Sequence, residues 1–224
     1  MKSPKTVARI FGVFFILAFL SYGIGNGFIA NLLNKSNAFE LIQEKESTFI
    51  LSYIQMALVH TLVNIGLPVL MLPILKPFGK TLTYGYLSAG IAATLILIVG
   101  AIFLLLNIPL SSIALGAEAG VQGNFDLISQ LLIKGNFYAY QTGMTIWGMG
   151  GILFCSLMYR SQIVPRFFAF WGMLGYLIFG IGTLAELFGY EIGLLLSLPG
   201  GLFEITLSIW LILKGFKAQA LQLS

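Results

Sequence analysis

The sequence predicts an all-α fold, a polytopic membrane bundle of six transmembrane helices with both termini in the cytoplasm. Three observations carry this. Hydrophobic residues make up 58% of the 224 residues, charged residues only 9%, and the mean hydropathy is +0.95. A soluble domain carries about 25% charged residues, so lipid is the natural solvent for most of this surface. Six apolar stretches are each long enough for a helix to cross a hydrocarbon core of about 30 Å, which takes about 20 residues. The charges between these stretches, finally, sort by sign and side.

The six stretches run over residues 7–29, 49–75, 82–106, 138–159, 167–189 and 192–214. Helix is the only open option for them. Lipid leaves unpaired strand edges without partners, and a closed barrel would show short alternating segments. In the first, Lys2, Lys5 and Arg9 precede the apolar run in the manner of a signal peptide. The run continues toward Leu33 with no A-x-A-like site after a short core, so a retained first span is expected. It carries Tyr22, Asn26 and a Gly23-x-x-x-Gly27 pattern, which usually means close helix packing and identifies no dimer. The loop at 31–48 sets Phe39, Leu41 and Ile42 among Glu40, Glu44 and Glu46, and a short helix lying on the interface is expected there.

The second span places His60, Asn64 and Pro68 on one helical face. After the third, residues 107–137 hold Phe125, Ile128, Leu131 and Leu132 at helical spacing, with Asp126 and Lys134 on other faces. A re-entrant or interfacial helix fits this segment, read as a cap over the bundle or, more sharply, as a lid. The fourth span has a mild polar stripe of Gln141, Thr145 and Gly148. It also holds Cys155, the sole cysteine, which excludes an intramolecular disulfide and a cysteine metal cluster. Pro165 stops this span, and Arg160 and Arg166 flank the turn as anchors to lipid phosphates.

In the fifth span Glu186 shares a face with Gly175, Gly182 and Gly189, placed to snorkel outward or to line an outward-facing cavity. The sixth holds Glu204 near mid-membrane, with Ser197, Gly200, Gly201 and Ser208 on its face and Leu195, Leu202, Phe203 and Ile209 elsewhere. Pro199-Gly200-Gly201 predicts a break or kink one turn before it.

With the N-terminus inside, the inner segments hold Lys2, Lys5, Arg9, Lys76, Lys80, Arg160, Arg166, Lys214 and Lys217. The outer ones hold Lys35, Lys45 and Lys134, together with Glu40, Glu44, Glu46, Glu118, Asp126 and Glu191. The positive-inside rule reads this as both ends in the cytoplasm, and a wrong span count would mix the two sets. The short loops leave no soluble domain, so the chain is expected to be one six-helix transmembrane domain.

Intramembrane polar groups are costly and face the bundle interior or a cavity. An acid at a helix centre costs about 2.5–3.5 kcal/mol to insert. Glu204 and His60, at comparable depths, are therefore expected to point at other helices, and a shared polar site between them, with Asn64, Glu186 and Gln141 as further members, is the sharper reading. In the plainer one each is satisfied separately and fastens helices. Trp147, Trp171 and Trp210 are read by default as lipid-facing bulk or interface anchors. One histidine forbids a multi-histidine metal site, and no H-x-x-x-H, nucleophile elbow or phosphate loop is present. No cofactor is implied. No basic run interleaves with aromatics, so nucleic acid is not expected as a partner.

Two stretches resemble a known family. Tyr159-Arg160-Ser161-Gln162-Ile163-Val164-Pro165-Arg166 before an aromatic and glycine-rich span, and Leu202-Phe203-Glu204-Ile205 leading to Trp210-Leu211-Ile212-Leu213-Lys214-Gly215, resemble the bacterial membrane family termed domain of unknown function 4386. The resemblance implies a six-span plan of this length in a bacterial cell membrane and supplies no reaction. Three functional classes follow: a small-solute or proton-linked transporter or ligand-binding bundle, a structural or regulatory membrane protein acting through partners, and, last, an intramembrane enzyme.

Overall fold

The structure, a computed structural model, describes residues 4–118 and 121–217, without the side chain of residue 122. Lys2, counted above among the inner cations, lies outside the described residues. All regular structure among the described residues is helical. In chain order the helices are α1 (Pro4–Leu33), α2 (Ala38–Glu44), α3 (Glu46–Tyr53), α4 (His60–Leu75), α5 (Lys80–Leu105), α6 (Asn107–Gly116), α7 (Gln122–Ser161), α8 (Arg166–Leu187) and α9 (Gly193–Leu213). A π-helical turn, Ile54–Val59, joins α3 to α4, and a 3₁₀ turn, Lys76–Phe78, follows α4.

Six helical stretches are long and apolar enough to cross a membrane: Pro4–Leu33, Glu46–Phe78, Lys80–Gly116, Gly123–Ser161, Arg166–Leu187 and Gly193–Leu213. These are the six expected from the sequence, and four extend well beyond their expected ends. The segment at 107–137 is not a separate re-entrant helix. Its first part is α6, which continues the third span, and Phe125, Ile128, Leu131 and Leu132 belong to the first turns of the 40-residue α7. At 1.5 Å per residue α7 is about 60 Å long, twice the hydrocarbon thickness. The short helix expected at 31–48 is α2, held down by the fully buried Ile42.

Pro199 does not break the sixth span: α9 runs unbroken through Pro199-Gly200-Gly201. Pro68 and Pro73 likewise sit inside α4. The turn after α7 forms where expected. Gln162 takes a left-handed backbone with φ +53°, Pro165 caps α8, and Ile163 and Val164 tuck into the core.

The chain packs as two compact units. Unit 1 comprises residues 1–18, 62–94 and 141–224; unit 2 comprises 19–61 and 95–140. Unit 1 is built around aromatic rings. Phe11 stands edge-on to Phe15 at 5.0 Å, Phe15 edge-on to Trp147 at 6.5 Å, and Tyr86 stacks on Phe154 at 5.1 Å. In one end of this unit the start of α1, the turn after α7 and the end of α9 meet. Arg9 Nε donates to the Ile212 carbonyl at 3.2 Å, and the Lys217 N–H to the Ile163 carbonyl at 2.9 Å. Unit 2 has its own core of Ile29, Ile42, Phe49, Met56 and Leu104. There the Gly25 position of α1 lies 2.5 Å, as a Cβ would, from the Ser52 carbonyl, so only glycine lets the two spans approach this closely.

Candidate functional site

Glu204 is buried in the middle of α9, on the face the sequence assigns to it. Gly200 and Ser208 are buried on that face, whereas Leu195, Leu202 and Ile209, placed elsewhere on the helix, are exposed. Phe203, also placed elsewhere than on that face, is not exposed. It is fully buried, 5.7 Å from the Tyr176 ring and 6.2 Å from the Trp171 ring, because Gly172 leaves room for its edge.

Two neutral donors converge on one carboxyl oxygen of Glu204. The Tyr176 hydroxyl of α8 donates to Oε1 at 2.5 Å, and the Trp147 indole N–H of α7 donates to the same atom at 3.3 Å. Glycines make this geometry possible. A Cβ on Gly151 would fall 2.5 Å from three atoms of the Tyr176 ring, and one on Gly12 would fall 2.6 Å from the Ser208 carbonyl. The Ser208 hydroxyl itself donates to the Glu204 carbonyl at 2.6 Å, inside the helix. In the same unit the Tyr86 hydroxyl is buried with no hydrogen-bond partner. Gly150, beside Gly151 on α7, leaves room for Ala89, one turn from Tyr86 on α5.

Sequence reasoning missed Tyr176 and Trp147. Trp147 departs from the default of lipid-facing bulk or interface anchor, whereas Trp171 and Trp210 are half-buried. Trp147 is buried on Glu204, the Trp171 N–H donates to the Pro199 carbonyl at 3.1 Å, and Trp210 packs on Phe168 at 5.7 Å. The available signal was depth. Tyr176 and Trp147 are polar-tipped aromatics near the middle of their spans, level with the acid, where a polar tip needs a partner.

The other expected residues fall into separate clusters. Asn64 is buried in unit 1, and its Nδ2 donates to Thr94 Oγ1 at 3.0 Å, which in turn donates to the Gly90 carbonyl at 2.7 Å. Gln141 is buried on α7. Its carbonyl accepts the Thr145 hydroxyl at 2.8 Å, and Thr145 pairs with Thr183 of α8 at 2.8 Å. Glu186 closes the α8–α9 connection: its Oε1 accepts the N–H of Gly193, the first residue of α9, at 2.7 Å.

His60 belongs to unit 2, where its ring stands edge-on to Tyr22 at 5.3 Å and Tyr22 packs on Tyr140 at 5.4 Å. It is the first residue after the π turn, and π turns frequently mark functional positions. Glu204 and its two donors belong to unit 1. Arg160 and Arg166 are exposed at the turn, with the Arg166 guanidinium 5.4 Å from the Tyr159 ring. The Gly23 and Gly27 positions, expected as a close-packing pair, meet no neighbouring atom within 4 Å. Among the described residues no three histidine, cysteine or acidic side chains are grouped to hold a metal ion.

Chemically, the arrangement around Glu204 offers a carboxyl whose charge or proton is matched by dipolar donors on one oxygen. A family model described as domain of unknown function (DUF4386) matches residues 10–215. No curated protein and no solved structure matches the chain.

Proposed function

Since the chain belongs to the DUF4386 family, whose description carries no activity, we propose its function from the site: a small-solute or proton-linked binding bundle with Glu204 as its polar centre. The observation that carries the reading is the convergence of Tyr176 and Trp147 on Oε1 alone. That leaves Oε2 to a proton or to a donor group of a solute. A carboxyl kept only to fasten helices would be served as well by a neutral amide, at less insertion cost. The buried, unpartnered hydroxyl of Tyr86 in the same unit supports a site that takes a further polar group. Asn64, Gln141 and Glu186 are assigned by this reading to helix positioning within the same unit, and His60 to packing within unit 2. The charge distribution supports a multi-pass protein of a bacterial cytoplasmic membrane with both ends inside, Arg160 and Arg166 anchoring the turn between the fourth and fifth spans.

Glu204→Gln tests this directly, because an amide oxygen still accepts from Tyr176 and Trp147 while the titratable proton is gone. The expected result is an unfolding temperature close to wild type together with loss of a carboxyl infrared band that appears on acidifying the wild-type protein in lipid. A band that persists in the variant, or a wild-type protein with no such band, overturns the proton-linked reading. Fastening then remains as the role of Glu204.

A further inference from the structure

Unit 2 carries a second polar feature, independent of Glu204. Two adjoining hollows, about 380 Å³ and about 600 Å³, open beside α7 and share Leu33, Lys35, Ser36, Gln130 and Ile133 in their walls. The smaller one adds two acids, Glu40 of α2 and Asp126 of α7; the larger adds Lys134 and Phe137. The acids thus line one hollow and Lys134 the other, with Lys35 in the wall of both and Leu33 and Ile133 as the apolar residues they share. The four charged residues are exposed.

The α7 residues have a regular spacing. Asp126, Gln130, Lys134 and Phe137 recur every three or four positions and, with Ile133 beside Lys134, line one face. Asp126 and Lys134 are eight residues apart, about 12 Å along the axis, a gap that their side chains shorten from both ends.

The level of the groove in the membrane follows from its neighbours. The Lys134 ammonium lies 4.4 Å from the Phe137 ring centre and 5.2 Å from that of Tyr138. A lysine held over aromatics at the start of an apolar span is the usual arrangement at headgroup level. Beside it, Leu127 and Leu131 are 65% and 72% exposed, more than water would favour on a fully aqueous segment.

We propose that this groove binds the headgroup of an aminophospholipid. Its phosphate lies against Lys35 and Lys134, its ammonium against Glu40 and Asp126, and an acyl chain follows Ile133 and Phe137 into the hydrocarbon. The choice among lipids rests on charge. A headgroup with only an anion leaves the two carboxylates unmatched. A choline headgroup has no N–H to donate to them. A primary ammonium satisfies both ends.

The test uses the full chain in vesicles of equal parts phosphatidylethanolamine, phosphatidylcholine and phosphatidylglycerol, extracted mildly, with the retained lipid counted by mass spectrometry. Phosphatidylethanolamine is expected to be enriched about threefold or more over each of the others, the scale of two or three interfacial charge contacts. Glu40→Gln with Asp126→Asn is expected to remove its advantage over phosphatidylglycerol. Lys35→Gln with Lys134→Gln is expected to remove its retention. Equal retention of the three lipids by the wild-type protein overturns the proposal, as does a preference that both double variants keep. Displacement of the lipid by soluble phosphoethanolamine alone also overturns it, since the site would then serve a free zwitterion.

Discussion

Two donors on one oxygen make the surroundings of Glu204 sensitive to displacements far smaller than a side chain. The Tyr176 ring is held in place by the missing Cβ of Gly151, so Gly151→Ala pushes the ring away from the helix that carries Trp147. Overpacking of this kind costs about 1–3 kcal/mol, and here it also removes the shorter of the two bonds to Glu204. Gly23→Ala is the control: the added methyl meets nothing within 4 Å, and alanine is the better helix former by up to about 1 kcal/mol. Thermal unfolding in detergent is therefore expected to fall for Gly151→Ala and to hold or rise for Gly23→Ala. Similar losses in both would contradict the glycine argument. The acid itself was legible in the sequence, because a charge in an apolar run stands out. Its donors were not, because Tyr176 and Trp147 are ordinary aromatics until a neighbouring helix is placed beside them.

At the scale of elements, the pairing of α8 with α9 follows a stripe that the sequence displays. Gly175 lies against the backbone of Pro199 and Gly200, Gly182 against Leu196, and Glu186 against Gly193, so the expected glycine face of the fifth span is its contact with the sixth. The role of Glu186 was not visible in advance. Residue spacing puts it near a span end, whereas only the tight link between the helices brings its carboxylate onto the first N–H of α9. A helix start has backbone donors without intrahelical partners and a positive dipole end, and the carboxylate answers both. Glu186→Ala is expected to cost about 0.5–2 kcal/mol, the range for losing an N-terminal cap, whereas Glu186→Gln keeps the acceptor and loses less. Equal losses in the two variants, measured by denaturant titration in detergent, would assign the effect to packing and not to the hydrogen bond. The continuity of α9 through Pro199 comes at the loss of one intrahelical bond: the proline is the seventh residue of the helix, past the N–H groups that lack acceptors in any case, and the carbonyl of Leu195 loses its usual donor, which a helix packed in a membrane bundle tolerates.

For the molecule as a whole, periodicity and length were enough to count the spans, because twenty apolar residues have few alternatives in lipid. They did not give the lengths of the helices beyond the hydrocarbon. The first turns of α7 are amphipathic and could belong either to a cap or to the span itself, a choice made by packing in unit 2. Orientation rests on charge. One end of unit 1 gathers Arg9, Arg160 and Lys217 through the contacts among α1, the turn after α7 and the end of α9, and the inner segments contain no acid. Cations beside span ends are retained on the cytoplasmic side, where they also meet anionic lipid. Single cysteines read the sidedness out cleanly, because Cys155 is fully buried and contributes little background to labelling of the folded protein. Ser36→Cys, after the first span, is expected to react with a membrane-impermeant maleimide added to intact cells. Lys217→Cys, after the sixth, is expected to react only once the cells are made permeable. The reverse pattern would invert the orientation, and reaction of both in intact cells would mean an even number of crossings between them, against the odd number that six spans with both ends on one side require.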